Sequence, residues 1–173
     1  MSLNTLEEIA QYIVSDGKGL LAADESNPTC GKRFDSIGVE SSEINRRDYR
    51  EMLFRSSGMQ DNIGGVILFD ETIRQSAADG TLLVDLIKNK GALPGIKVDK
   101  GLAPIDSSPE ETVTQGLDGL DERCKEYFSL GAKFTKWRAV IKISDDIPSD
   151  DCIQANMQAC LLYTSDAADE KYR

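Results

Sequence analysis

The chain contains no histidine. Ser-His-Asp and Cys-His catalysis are therefore excluded, and so are zinc sites built on imidazole. It also lacks any apolar run near the ~20 residues of a membrane span. Its start, Met1-Ser-Leu-Asn-Thr-Leu-Glu-Glu-Ile-Ala-Gln-Tyr12, has neither a basic leader region nor an Arg- and Ser-rich transit composition. Cytoplasm is the compartment expected; a plastid location remains open although no transit peptide is visible. Positive charge is in short supply, with 20 Lys and Arg against 30 Asp and Glu and a net charge of −10. That balance argues against nonspecific binding to nucleic acid or to an anionic membrane. Cysteines at 30, 124, 152 and 160 form no Cys-x-x-Cys pair, so they are expected reduced and buried.

Two nucleotide-binding signatures are also missing. Gly17-Lys-Gly-Leu-Leu-Ala22 imitates a dinucleotide fingerprint, yet it precedes a strand where the fingerprint must follow one. Val66-Ile-Leu-Phe-Asp-Glu71 imitates the acidic strand of a P-loop ATPase. Its would-be phosphate loop, Ser26-Asn-Pro-Thr-Cys-Gly-Lys-Arg33, has the wrong residue at both ends.

What the chain does have is an alternation of apolar runs and helical spacing. Leu3, Leu6, Ile9, Ala10, Ile13 and Val14 predict a helix capped by Asn4 or Thr5. Strands are predicted at 19–24, 65–70, 94–100 and 132–143, and helices at 43–56, 81–90, 108–130 and 151–160. Ser108-Pro-Glu-Glu111 fits a capped helix start with proline at the first position. The order implies an α/β fold with parallel strands and an extra helix between the first two. Four strands are half of an eight-stranded barrel, which needs roughly 250 residues.

Ionisable residues inside strands carry the chemical signal. Lys97 and Asp99 are two apart and share a face, with Ile96 and Val98 on the other. Lys136 and Arg138 repeat the arrangement around Trp137, and Asp24 ends the first strand. These could be edge-strand charges facing water. The recurring dyad favours a functional interior instead, because buried charges need partners and titratable clusters mark sites. With Lys32 and Arg33, the cations would suit an anionic, most naturally phosphorylated, substrate. Crowded cations also make a lysine amine nucleophilic toward a carbonyl. The residues alone reach as far as a barrel enzyme acting on a small phosphorylated carbonyl compound.

Longer motifs go further. Gly17-Lys-Gly-Leu-Leu-Ala-Ala-Asp-Glu-Ser26, Gly31-Lys-Arg33, Asn45-Arg-Arg47, Gly64-Gly-Val-Ile-Leu-Phe69 and Gly95-Ile-Lys-Val-Asp-Lys-Gly101 stand in order. They are followed by Gln115-Gly-Leu-Asp-Gly-Leu120, Glu122-Arg-Cys124, Lys136-Trp-Arg138 and Pro148-Ser149. Over roughly residues 6 to 160 this closely resembles class I fructose-bisphosphate aldolase, whose fold is the (β/α)8 TIM barrel. The chain would supply about the first four strands with their helices.

The resemblance implies reversible cleavage of fructose 1,6-bisphosphate to dihydroxyacetone phosphate and glyceraldehyde 3-phosphate through a lysine Schiff base, with no metal and no cofactor. It implies catalytic roles for Asp24, in carbon–carbon cleavage and proton transfer, and for Lys136, acting electrostatically beside the Schiff-base lysine. Arg33, Arg46, Lys97 and Arg138 match substrate- or phosphate-binding residues. Full-length members are commonly homotetramers. The partner expected is a small phosphorylated sugar, with no nucleic acid and no membrane.

The family's Schiff-base lysine, paired glutamates and main phosphate site lie on later strands that this sequence does not match. The fragment is therefore expected to be inactive alone; the alternative reading is a non-catalytic half-barrel with at most weak phosphate binding. Residues 1–160 are read as the family half-barrel, and 161–173 as a non-homologous tail that resembles translated read-through. Asn27-Pro-Thr-Cys30 is nearer to plastid and bacterial-type members than to animal ones.

Overall fold

Thr5 and Glu8 start the first helix reciprocally. The Thr5 hydroxyl accepts the Glu8 N–H at 3.2 Å, and the Glu8 carboxylate accepts the Thr5 N–H at 3.1 Å, satisfying two otherwise unpaired donors. The resulting helix is α1 (Leu6–Ile13) of a computed structural model that describes Leu3 and residues 5–167. After it come β1 (Gly19–Ala23), α2 (Asn27–Asp35), α3 (Glu43–Arg55), α4 (Met59–Asn62), β2 (Ile63–Leu68), α5 (Asp70–Ile73), α6 (Leu83–Asn89) and β3 (Leu93–Lys97). β4 (Leu102–Ile105), β5 (Ser108–Thr114), α7 (Leu120–Ser129), β6 (Phe134–Lys136) and α8 (Asp150–Ala167) complete the described elements.

By contact the chain forms two compact units. The first takes the stretch up to Lys97 with Tyr127–Thr135, and the second takes Val98–Glu126 with the stretch from Lys136 onward. The first holds the parallel sheet the sequence predicts, in the order β1-β2-β3-β6. β1 runs parallel to β2 with Ala23 opposite Leu68, and β2 runs parallel to β3 with Leu68 opposite Ile96. Those three aligned residues are all fully buried. β2 reads as a continuous apolar run because both of its faces are covered, as parallel strands require. On the sheet, Phe134 lies against Gly65 and Gly95, where a Cβ at either glycine would meet its ring. A Cβ at Gly64 would likewise run into the Ile13 main chain at the end of α1.

The second unit pairs β4 and β5 as an antiparallel hairpin and packs α8 on β5. The predicted helix over 108–130 is therefore a strand followed by a shorter helix. Thr112-Val113-Thr114 is a β-branched run that favours the pleated form, and Leu102 and Ala103 pair with Thr114 and Val113. Gly116, at φ +125°, then ends it in a conformation reserved for glycine.

The predicted strand over 132–143 shrinks to Phe134–Lys136. Past it, the Arg138 carbonyl accepts a hydrogen bond from the Thr114 hydroxyl at 2.7 Å, a side-chain bond and not a strand ladder. The extra helix expected between the first two strands is α2, whose bounds the sequence does not mark because Pro28 and Gly31 are poor helix formers; Pro28 sits in the first turn, where its missing N–H costs nothing. The helix predicted over 151–160 continues to Ala167, and Tyr163 stacks on Trp137 with ring centroids 5.3 Å apart. All four cysteines are free thiols. Cys30 and Cys152 are buried, and Cys124 and Cys160 are half-buried.

Candidate active site

The register of the parallel sheet places two of the predicted residues on one row. Ala23, Leu68 and Ile96 align across β1, β2 and β3, so Asp24, Phe69 and Lys97 form the next row. Asp24 and Lys97 thus stand at the carboxyl ends of parallel strands, two strand spacings or roughly 10 Å apart in backbone. Both are half-buried, Asp24 just past the end of β1 and Lys97 as the last residue of β3. A carboxylate and an ammonium at that edge can move a proton and hold an anion respectively.

The two predicted site arginines of this unit, Arg33 and Arg46, are more engaged than their sequence context suggests. Arg33, on α2, is exposed and forms an ion pair with the largely buried Glu25. The Glu25 carboxylate holds the guanidinium pKa above its ordinary value. The Tyr49 hydroxyl also donates to Glu25 at 3.2 Å, and burial pushes that phenol up. Arg46, on α3, makes a two-toothed ion pair with Glu71 of α5, at 2.7 and 2.6 Å, and donates to the Ser41 carbonyl at 2.5 Å. Asn27 Nδ2, at the start of α2, reaches the same Glu71 carboxylate at 3.2 Å. Three helices are thereby tied together through one acid.

Hydrogen bonding from Arg46 lowers the Glu71 pKa. Its folded value lies below its unfolded value, so the stabilisation is complete above the ordinary carboxylate range. It is lost as pH falls through the lowered folded value. Glu71→Gln is expected to destabilise the chain by about 2 kcal/mol at neutral pH, the scale of hydrogen bonds to charged groups, and to shallow the acid limb of a stability–pH curve. An unchanged urea midpoint at pH 7 would count against this role for the pair.

In the second unit Lys136, which ends β6, is half-buried and its carbonyl accepts the Val98 N–H at 3.1 Å. Arg138 lies beyond the strand and is exposed, so Lys136 and Arg138 do not form the buried strand dyad that their spacing suggests. Asp99 is buried, and Lys97 does not share its strand. Arg123, from α7, donates to the Val98 carbonyl at 2.9 Å and to the Gly116 carbonyl, bracing the segment between β3 and β4.

Two charged side chains of the first unit are not among the residues the sequence singles out. Arg50 is almost fully buried, and Glu25 is its counter-charge, with an ion-pair distance of 2.9 Å. The available signal was spacing: Arg46 and Arg50 are four apart and so share a face of α3. Among the described residues, no three His, Cys, Asp or Glu side chains are grouped to hold a metal ion, and no helix is long and apolar enough to cross a membrane.

Comparison with known proteins sharpens the picture. Residues 5–171 match the family described as glycolytic fructose-bisphosphate aldolase class-I. A probable fructose-bisphosphate aldolase class 1 from Xanthomonas campestris pv. campestris is 52% identical over 165 residues, which are 95% of this chain and 49% of that protein. The cytosolic fructose-bisphosphate aldolase 6 of Arabidopsis thaliana is 53% identical over 154 residues, covering 89% of this chain and 43% of the relative. The chain thus spans about half the length of the curated relatives it matches. Among solved structures, a fructose-bisphosphate aldolase from Plasmodium falciparum superposes with a TM-score of 0.90 at 47% identity, over 92% of this chain and 46% of that one. The fold is the α/β fold of the aldolase TIM barrel, over the part of that barrel which this chain covers.

Proposed function

From the premise that the chain belongs to the class-I fructose-bisphosphate aldolase family, we propose that it is one part of a Schiff-base aldolase. The complete protein would cleave fructose 1,6-bisphosphate reversibly to dihydroxyacetone phosphate and glyceraldehyde 3-phosphate. A lysine outside this sequence would condense with the substrate carbonyl, losing water. The protonated imine then draws the electron pair of the breaking carbon–carbon bond.

Asp24 assists that cleavage and moves the proton. Lys136 acts electrostatically on the imine and substrate. Lys97, Arg33, Arg46 and Arg138 hold the anionic sugar. The observation that carries the reading is that an acid and an amine, Asp24 and Lys97, stand at the carboxyl ends of β1 and β3, which both run parallel to β2, at the strand ends where barrels place their chemistry. The reaction would take place in the cytoplasm with a phosphorylated sugar as partner, and the complete protein would form a homotetramer.

On this reading the chain alone forms no productive Schiff base. Borohydride treatment with dihydroxyacetone phosphate is expected to leave its mass unchanged, while a fusion of residues 1–160 to the remaining half of the Xanthomonas campestris relative turns the bisphosphate over. A trapped adduct on Lys97 or Lys136 of the chain alone, with turnover, would sink the first claim. A folded fusion without turnover would sink the second.

One observation favours the alternative, a half-barrel with at most weak phosphate binding. Arg33 and Arg46 are already committed to Glu25 and Glu71, so an incoming phosphate must compete with both carboxylates. Calorimetric titration with inorganic phosphate separates the two readings of the isolated chain.

A further inference from the structure

We propose that Arg50 is the positioning residue for Asp24: its buried guanidinium grips the main chain on both sides of that aspartate and thereby sets where the carboxylate stands. The importance given to Asp24 rests on the aldolase reading above; the grip itself does not.

Arg50 projects from α3 with only 2% of its surface exposed. A guanidinium carries five donors and is costly to bury unless they find acceptors. Here its Nε donates to the Ala23 carbonyl at 2.8 Å and its Nη2 donates to the Glu25 carbonyl at 3.0 Å. Nη1 donates to the Cys30 sulfur at 3.3 Å, and the Glu25 carboxylate stands 2.9 Å from Nη2. The group also lies over the Tyr49 ring, 5.0 Å from its centroid. Every contact therefore falls on the strand-to-helix turn or on the residues that wall it in.

Only Asp24, Glu25 and Ser26 separate the end of β1 from the start of α2. The Ala23 carbonyl belongs to the peptide unit that carries the Asp24 N–H, and the Glu25 carbonyl belongs to the peptide unit that leads into Ser26. Holding both oxygens on one rigid fork fixes the main chain around Asp24 and hence its Cα–Cβ direction.

An apolar side chain could fill the space behind the turn at comparable stability, but it would leave two buried carbonyls unpaired. A lysine could reach one of them and lacks the fork. Glu25 supplies the counter-charge and, through its other oxygen, engages Arg33 and Tyr49. Arg50 does not itself face the row of Asp24 and Lys97; it acts through the turn.

The test has two arms. In the full chain, Arg50→Lys and Arg50→Met are expected to move the NMR signals of the Asp24 amide and side-chain carboxyl while signals of β2 and β3 stay in place. In the fusion described above, Arg50→Lys is expected to lower kcat by roughly tenfold to a hundredfold, the penalty for a misplaced catalytic group, with KM little changed. Two results would overturn the proposal: Asp24 signals that stay put in both variants, or signals that shift evenly throughout the unit together with an equal fall in kcat/KM from KM alone. Absence of turnover in the unsubstituted fusion counts against the aldolase reading, and the NMR arm still decides Arg50.

Discussion

Gly95→Val is expected to leave the first unit unable to hold its sheet together. Gly95 is buried in β3, and the edge and face of the Phe134 ring occupy the place where its Cβ would go. The ring cannot simply step aside. A Cβ at Gly65, on the neighbouring strand, would lie 3.0 Å from the same ring and 2.8 Å from the Leu20 side chain, so the space around Phe134 is filled on that side too. Overpacking a well-filled interior costs about 1–3 kcal/mol and occasionally more. With a branched side chain against an aromatic ring and a strand main chain, about 3 kcal/mol or more is expected, a large share of the 5–15 kcal/mol that holds a typical domain.

Gly19→Ala supplies the control. Gly19 also sits in a strand of the same sheet, but a Cβ there would meet nothing within 4 Å, so its urea midpoint should stay near that of the unsubstituted chain. Phe134→Ala in the Gly95→Val background should recover part of the loss, because it removes the obstructing ring. Equal midpoints for the valine and alanine substitutions would refute the packing argument. The position bears on function as well: Lys97 is two residues further along the same strand, so a displaced β3 carries the amine with it.

The parallel sheet was legible because its strands announce themselves by composition. Gly19–Ala23, Ile63–Leu68 and Leu93–Lys97 are apolar runs bounded by glycine and by charge, and the ends of these three strands fall within a few residues of their expected places. Asp24 and Lys97 were legible for the same reason: a charge that closes an apolar run is conspicuous. The hairpin was not, since Ser108-Pro-Glu-Glu111 satisfies a helix-start pattern locally. The choice was made by pairing with Leu102–Ile105, which a helix-start pattern read on four residues does not take into account.

The strand dyad of Lys136 and Arg138 is absent for a related reason. Two-residue spacing implies a shared strand face only where the strand continues, and β6 stops at Lys136. Arg50 was hidden by its helix. In a segment with Arg46, Arg47, Arg50 and Arg55, composition suggests a solvated cationic face, and the four-residue spacing of Arg46 and Arg50 gives a shared face without saying that Arg50 is buried against a distant turn.

Glu111→Gln is expected to produce the largest loss of any single substitution in the second unit, and its reason is the part of the hairpin that looked like a helix start. Glu111 is buried on β5. Its carboxylate accepts the Ser149 N–H at 2.8 Å on one oxygen and the Ser149 hydroxyl at 2.6 Å on the other. Ser149 Oγ in turn accepts the Cys152 N–H at 3.2 Å in the first turn of α8, so the acid orients the cap of that helix. Asn156, one turn on, donates to the Thr112 carbonyl of β5 at 2.9 Å.

An amide at position 111 offers one acceptor where two are needed and points a donor at the other. Ser149→Ala removes only the cap and one of these bonds, so its melting temperature should fall less than that of Glu111→Gln. Hydrogen bonding from Ser149 holds the Glu111 carboxyl below its usual value. A folded value below the unfolded one means that this stabilisation is whole above the ordinary carboxylate range and drains away as pH falls through the folded value. Burial, helped by Glu111, raises the neighbouring Cys152 thiol, so the thiol stays neutral across that interval and adds no opposing slope. Glu111→Gln should therefore separate most from the parent near neutrality and converge with it in acid. Parallel curves for the two proteins down to low pH would show that the carboxylate is not what seats α8 on the hairpin.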